Sequence, residues 1–233
     1  IDGMRGCHLS TDEEGKYLFV AGYHDGKVTV VHTHKDGRLG SVVDGVFHKG
    51  LGSVGERNFR PHVSCVRPTP DNKYLCAVDN GIDQMKVYRI NSRTKRLELV
   101  DILRCTRESG PKLIKFSPDG RFAYLNFELN NTIEVYRYDG TGKSPVFEKI
   151  QTISTLASDD DQIHDATSGM CFSPDGHYLF CSTAGEDTVA MYKRDEETGL
   201  LETQFILPIS GNYPKDLDAV SYTHLTLPTT SRV

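Results

Sequence analysis

Glu128, Lys112 and His62 are the residues whose types and setting best suit chemistry in this 233-residue sequence. Glu128 ends a run that is otherwise apolar and aromatic: Phe122, Ala123, Tyr124, Leu125 and Phe127. A carboxylate at the rim of such a core is placed to take a proton as a general base. Lys112 supplies a cation for a carboxylate, a phosphate or a developing oxyanion. His62 follows Pro61 in Arg57-Asn58-Phe59-Arg60-Pro61-His62, where two guanidinium groups and an imidazole can bind an anion and shuttle a proton. His8 and Lys215 are the remaining candidates for holding such an anion.

Metal chemistry has weaker signals. His32-Thr33-His34 puts two imidazoles on one strand face, but at an outer strand end and without an evident third ligand. Asp159-Asp160-Asp161 lacks the spacing of a calcium loop and reads as a solvated connection. No metal site is therefore expected. Ser168-Gly169 is not a nucleophile elbow, and no Gly-rich phosphate cradle occurs.

The elements that must position these groups come from a repeat. Gly15 to Val31, Asn72 to Tyr88, Gly120 to Tyr136 and Gly176 to Tyr192 each run through an aromatic, an apolar stretch, a polar turn and a second apolar strand. Ser117-Pro118-Asp119-Gly120, Ser173-Pro174-Asp175-Gly176 and Thr69-Pro70-Asp71-Asn72 precede three of them, with a degenerate Asp12-Glu13-Glu14-Gly15 before the first. Such turns use Pro to preset φ, Asp to cap locally and Gly to reach positive φ. The anchoring aromatics Tyr17, Tyr74, Phe122 and Tyr178 lie 57, 48 and 56 residues apart. A unit of about 50 residues holding about four short antiparallel strands has the size of a propeller blade.

The expected fold is therefore an all-β propeller of four-stranded antiparallel blades, about four and a half of them. A fifth unit starts at Gly211-Asn212-Tyr213-Pro214-Lys215 and stops after Asp218. Residues 1–218 read as the propeller part, cut at both ends. Residues 219–233 (AVSYTHLTLPTTSRV) read as a foreign tail without a second strand, similar to translated sequencing-adaptor read-through.

In a blade, the start of the first strand and the end of the second share one rim. Lys112 and Glu128 should meet there, joined by His8, His62, Asp79, the 164–167 stretch, Thr183 and Lys215 from neighbouring blades. The Ser-Pro-Asp-Gly turns belong to the opposite rim.

Composition narrows the partners. The net charge is −5, with 27 Lys and Arg against 32 Asp and Glu, which argues against nucleic acid as a partner. No apolar run approaches the ~20 residues of a membrane helix. The six scattered cysteines (Cys7, Cys65, Cys76, Cys105, Cys171, Cys181) read as free thiols in a reducing compartment, so the expected location is cytoplasmic.

The stretch Gly110-Pro111-Lys112…Ser117-Pro118-Asp119-Gly120-Arg121…Asn126-Phe127-Glu128-Leu129 resembles the seven-bladed propeller lactonases, which include propeller-type 6-phosphogluconolactonases and carboxy-cis,cis-muconate cyclases. Gly55-Glu56-Arg57…Pro61-His62 and Asp79-Asn80-Gly81-Ile82-Asp83 add to the resemblance, as do Cys7-His8-Leu9-Ser10 and Tyr213-Pro214-Lys215-Asp216. It implies a seven-bladed ring and a lactonase acting on a small anionic sugar lactone, by default 6-phosphogluconolactone, with no cofactor. In that reading Glu128 and His62 are catalytic, and Arg57, Lys112, Lys215 and His8 bind substrate. A muconate-type cycloisomerase and a non-catalytic binding scaffold are the alternatives. The sequence departs from the family pattern at Lys112 and Lys215, where Arg is usual, and at Leu113, Ala184 and Ser64, where Leu113 and Ser64 replace a usual His and Ala184 an Arg found in many members.

Overall fold

The computed structural model describes residues 5–52, 59–91, 93–158, 164–220 and 225–226. The chain divides into two compact units, Ile1–Ile114 with Asp139–Val146, and Lys115–Tyr138 with Phe147–Val233. Nearly all regular structure is β. Four four-stranded sheets follow one another along the chain, each a meander in sequence order.

The first sheet is β1 (Gly6–Thr11), β2 (Tyr17–Gly22), β3 (Lys27–Thr33) and β4 (Leu39–Phe47). The second is β5 (Val63–Pro68), β6 (Leu75–Asp79), β7 (Gln84–Ile90) and β8 (Leu97–Arg104), with a single 3-10 turn over Asn80–Ile82 between β6 and β7. The third is β9 (Pro111–Phe116), β10 (Phe122–Phe127), β11 (Thr132–Asp139) and β12 (Val146–Ser154). The fourth is β13 (Ala166–Phe172), β14 (Tyr178–Ala184), β15 (Thr188–Arg194) and β16 (Leu201–Pro208).

Each blade turns on the same local device. In Ser117-Pro118-Asp119-Gly120 the Ser117 hydroxyl donates to Asp119 and accepts the Phe122 amide at 3.0 Å, while Gly120 takes φ 72°. Thr69 and Ser173 repeat it on the Tyr74 and Tyr178 amides, at 3.1 and 2.9 Å. The degenerate first turn keeps the geometry with a different acceptor: the Asp12 carboxylate takes the Tyr17 amide at 2.7 Å.

The middle strands of each blade are buried on both faces, so β6 and β10 are apolar throughout except for Asp79 and Asn126. In the first unit β5 packs against β1 and β2, and Phe19, Val28, Val30, Val63, Leu75 and Tyr88 share one core. In the second unit Tyr124, Phe127 and Tyr192 are fully buried. Burying side chains of this size stabilises by about 1.5–3 kcal/mol each. The tail differs from expectation. Asp218–Ala219 (β17) pairs antiparallel with Leu225–Thr226 (β18), so a short second strand exists after the fifth blade begins.

Candidate active site

His62 lies just before β5, buried to 6% exposure. Its ring stacks on Tyr23 at 4.4 Å between centroids and 14° between planes. Its Nδ1 lies 2.9 Å from the Tyr23 carbonyl oxygen, which can only accept. The proton of a neutral ring therefore sits on Nδ1, and Nε2 keeps the lone pair that a general base needs.

The backbone beneath His62 is held by Asp79, the last residue of β6. Asp79 Oδ1 accepts the His62 amide at 2.7 Å and the Gly81 amide at 3.1 Å. Asp79 Oδ2 takes Nδ1–H of His48 at 2.6 Å, and both side chains are fully buried. Burial holds His48 below the usual histidine range, against the pull of the Asp79 carboxylate; the Lys86 ammonium nearby already supplies the balancing cation. Gly81 is needed for a different reason: a Cβ there would lie 1.8 Å from the Arg60 carbonyl oxygen.

A second feature is a repeated bulge. Pairing slips by one residue between Gly6 and His8, between Val63 and Cys65, and between Thr167 and Met170. Cys7, Ser64 and Ser168 sit at these slips, each five residues before its turn residue Asp12, Thr69 or Ser173. Bulges re-aim a side chain out of the alternation of a strand. Cys7 Sγ reaches the Val63 and Ser64 carbonyls at 3.3 and 3.5 Å. Ser64 Oγ donates to the Lys112 carbonyl at 2.8 Å. Lys112 is likewise five residues before Ser117, so it holds the same place in its own blade. Lys215 does so in the fifth, by the match of Tyr213-Pro214-Lys215 to Gly110-Pro111-Lys112. Burial pushes the Cys7 thiol up to about 11, so it stays a protonated donor and is no thiolate nucleophile.

The remaining candidates fall as follows. His8, half-buried on β1, sets Nε2 3.6 Å from the Cys65 sulfur. Lys112 is half-buried near the start of β9, and Asp83 and Asn80 fix its lead-in: Asp83 accepts the Glu108 and Gly110 amides at 2.8 and 3.0 Å, and Asn80 donates to the Gly110 carbonyl. Glu128 is half-buried one residue beyond β10. Lys215 is exposed, its Nζ 5.9 Å above the Tyr213 ring. Arg57 and Asp159–Asp161 lie outside the described residues. The first unit thus brings His62, His48 and Asp79 together; His48 and the bulge position were not singled out from the sequence. The five-residue offset before each turn was the available signal for the bulge position.

Residues 1–225 match the profile of the family described as lactonase, seven-bladed β-propeller. The chain belongs to the seven-bladed β-propeller lactonase family. It is 31% identical over 216 residues to a 6-phosphogluconolactonase of Bacillus subtilis, covering 93% of this chain and 60% of that one. An uncharacterized protein of Lactococcus lactis subsp. cremoris is 34% identical over 226 residues, 94% of this chain and 64% of the relative. Among solved structures, a periplasmic gluconolactonase of Pseudomonas aeruginosa superposes with TM-score 0.84 at 29% identity, over 93% of this chain and 60% of that one. This lactonase-family chain thus spans about 60% of the length of the relatives it matches. Among its described residues no helix is long and apolar enough to cross a membrane.

Proposed function

We propose that this chain is part of a lactonase that hydrolyses a small anionic sugar lactone, with 6-phosphogluconolactone as the substrate to test first. The observation that carries the reading is the tautomer of His62. Its Nδ1 proton is tied to the Tyr23 carbonyl, which leaves Nε2 as a base. Family membership and the match of Glu128 to the family glutamate support it.

In the proposed reaction Glu128 or His62 takes a proton from water as its oxygen adds to the lactone carbonyl. Lys112, Arg57 and Lys215 hold the substrate anion and stabilise the tetrahedral oxyanion. Collapse breaks the ring carbon–oxygen bond, and the proton returns to the leaving alkoxide, giving the open hydroxy acid. No cofactor is needed for this sequence of steps. The free state of Cys7, Cys65, Cys76, Cys105, Cys171 and Cys181 supports a reducing compartment such as the cytoplasm. Residues 219–233 take no part in the proposed site.

The test is acid release from 6-phosphogluconolactone, followed at constant pH, by the full-length enzyme that contains this chain and by its Glu128→Gln variant. The expected result is hydrolysis that the variant loses while its unfolding midpoint stays unchanged. Hydrolysis retained by Glu128→Gln would sink the role given to this residue, and no hydrolysis by either would sink the activity.

A further inference from the structure

His32 and His34 have no part in the proposed reaction, yet their geometry is specific. His32 pairs with Tyr17 across β2 and β3, at the end of the first blade opposite the β2–β3 turn. His34 follows β3 and is fixed by its turn: its amide donates to the Arg38 carbonyl at 2.8 Å, and its carbonyl accepts the Gly37 amide at 2.9 Å. The two exposed rings stand 5.3 Å apart between centroids, nearly perpendicular at 86°.

Both rings turn a nitrogen toward Gly40 on the neighbouring strand β4. A Cβ on Gly40 would lie 3.1 Å from His32 Nδ1 and 3.1 Å from His34 Nε2. Two imidazole nitrogens from different residues therefore face one gap, open because residue 40 has no side chain. Gly40 is not among the residues with positive φ, so the backbone itself does not require glycine there. Among the described residues neither of these two nitrogens makes a hydrogen bond.

We propose that His32 and His34 form a two-imidazole chelate for a divalent transition-metal ion, seated beside Gly40. Imidazole nitrogen binds such ions at about 2.0–2.1 Å, and both rings are exposed, so they are free to turn toward a shared ion. Water fills the other positions. The donor set selects the class of ion. The nearest carboxylate in the turn, Asp36, is taken up by Arg38 at 2.7 Å, so no free carboxylate favours calcium or magnesium. With two neutral nitrogens, copper(II) binds more tightly than nickel(II) or zinc(II). The proposed steps of lactone hydrolysis give this site no role.

The experiment is titration of the untagged protein with copper(II) chloride at neutral pH, read by calorimetry and by electron paramagnetic resonance. One equivalent should bind, with hyperfine structure from two imidazole nitrogens. His32→Gln and His34→Gln should each weaken binding by about tenfold or more, on the scale of losses seen when metal sites are altered. Gly40→Ala should weaken it similarly with the circular dichroism unchanged, because the methyl fills the gap. His177→Gln, at an exposed histidine paired with Glu196, should change nothing. Full copper binding by His34→Gln or by Gly40→Ala overturns the proposal.

Discussion

At the scale of single residues, Asp79 does more than its place on the rim suggested. One carboxylate accepts the His48 ring, the His62 amide and the Gly81 amide, and it has no solvent to replace any of them. Removing one partner of a buried, hydrogen-bonded group leaves the others unsatisfied. Asp79→Ala should lower stability by about 3 kcal/mol, measured by urea unfolding. A nitrogen-15 NMR spectrum separates this from a role at the site: in the native chain the His62 Nδ1 should carry the proton. Lys112 leads to a prediction of the opposite kind. A lysine is a point charge, whereas arginine binds a carboxylate or phosphate through two parallel bonds. If the proposed activity holds, Lys112→Arg should lower KM for the anionic lactone, with kcat less affected. Glu128 and His62 stand out in the sequence as candidates because their types and neighbours are local. His48 does not, since it follows an outer strand and meets Asp79 across 31 residues.

At the scale of elements, one hairpin residue recurs in every blade. Gly26, Asp83, Asn131 and Asp187 all take positive φ near 50–60°. Their carbonyls accept the amides of His48, Cys105, Thr155 and Ile209, the residues that leave each fourth strand. Where the residue has a side chain, it also accepts the amide that leads into the next blade: Gly110 on Asp83, Thr167 on Asn131 and Tyr213 on Asp187. At Asp83, Asn131 and Asp187 this pin sets where the first strand of the next blade starts, and so where the residue five before its turn falls. Asn131→Ala should cost about 1–3 kcal/mol, because it strands the buried Thr167 amide. Asn131→Asp should recover most of that, since Asp83 and Asp187 do the same work; denaturant midpoints of the two variants decide it. The Ser-Pro-Asp-Gly turns were readable because their bonds close within five residues. The pins were not, because Asp83 meets its partner 27 residues away, and the bulges at Cys7, Ser64 and Ser168 share only a small side chain with a thiol or hydroxyl, which is too common to mark a position.

At the scale of the whole molecule, the buried and capped groups predict how stability follows pH. His48 is held below its usual range by burial, so below a pH of about 6.5 the unfolded chain binds a proton that the folded chain refuses. Stability should be full above that pH and decline as pH falls through it. The groups facing His48 are Asp79, Lys86 and Tyr88, and burial also holds Lys86 low, which keeps a second cation unfavourable there. Asp139 in the first unit, and Asp175 and Asp195 in the second, are held below the usual carboxylate range by hydrogen bonds from Thr141, Ser173 and Thr198. For a depressed carboxylate the stabilisation is present above its unfolded pKa of about 3.9 and is lost as pH falls through the folded one. Two limbs are therefore expected in a plot of urea midpoint against pH: one opening near 6.5 and a second below about 4. His48→Gln keeps a donor for Asp79 without a titrating ring, so it should abolish the upper limb and leave the lower one. A midpoint flat from pH 7 to 5 in the native chain, or an upper limb that survives His48→Gln, would show that the buried pair takes up its proton in the folded state.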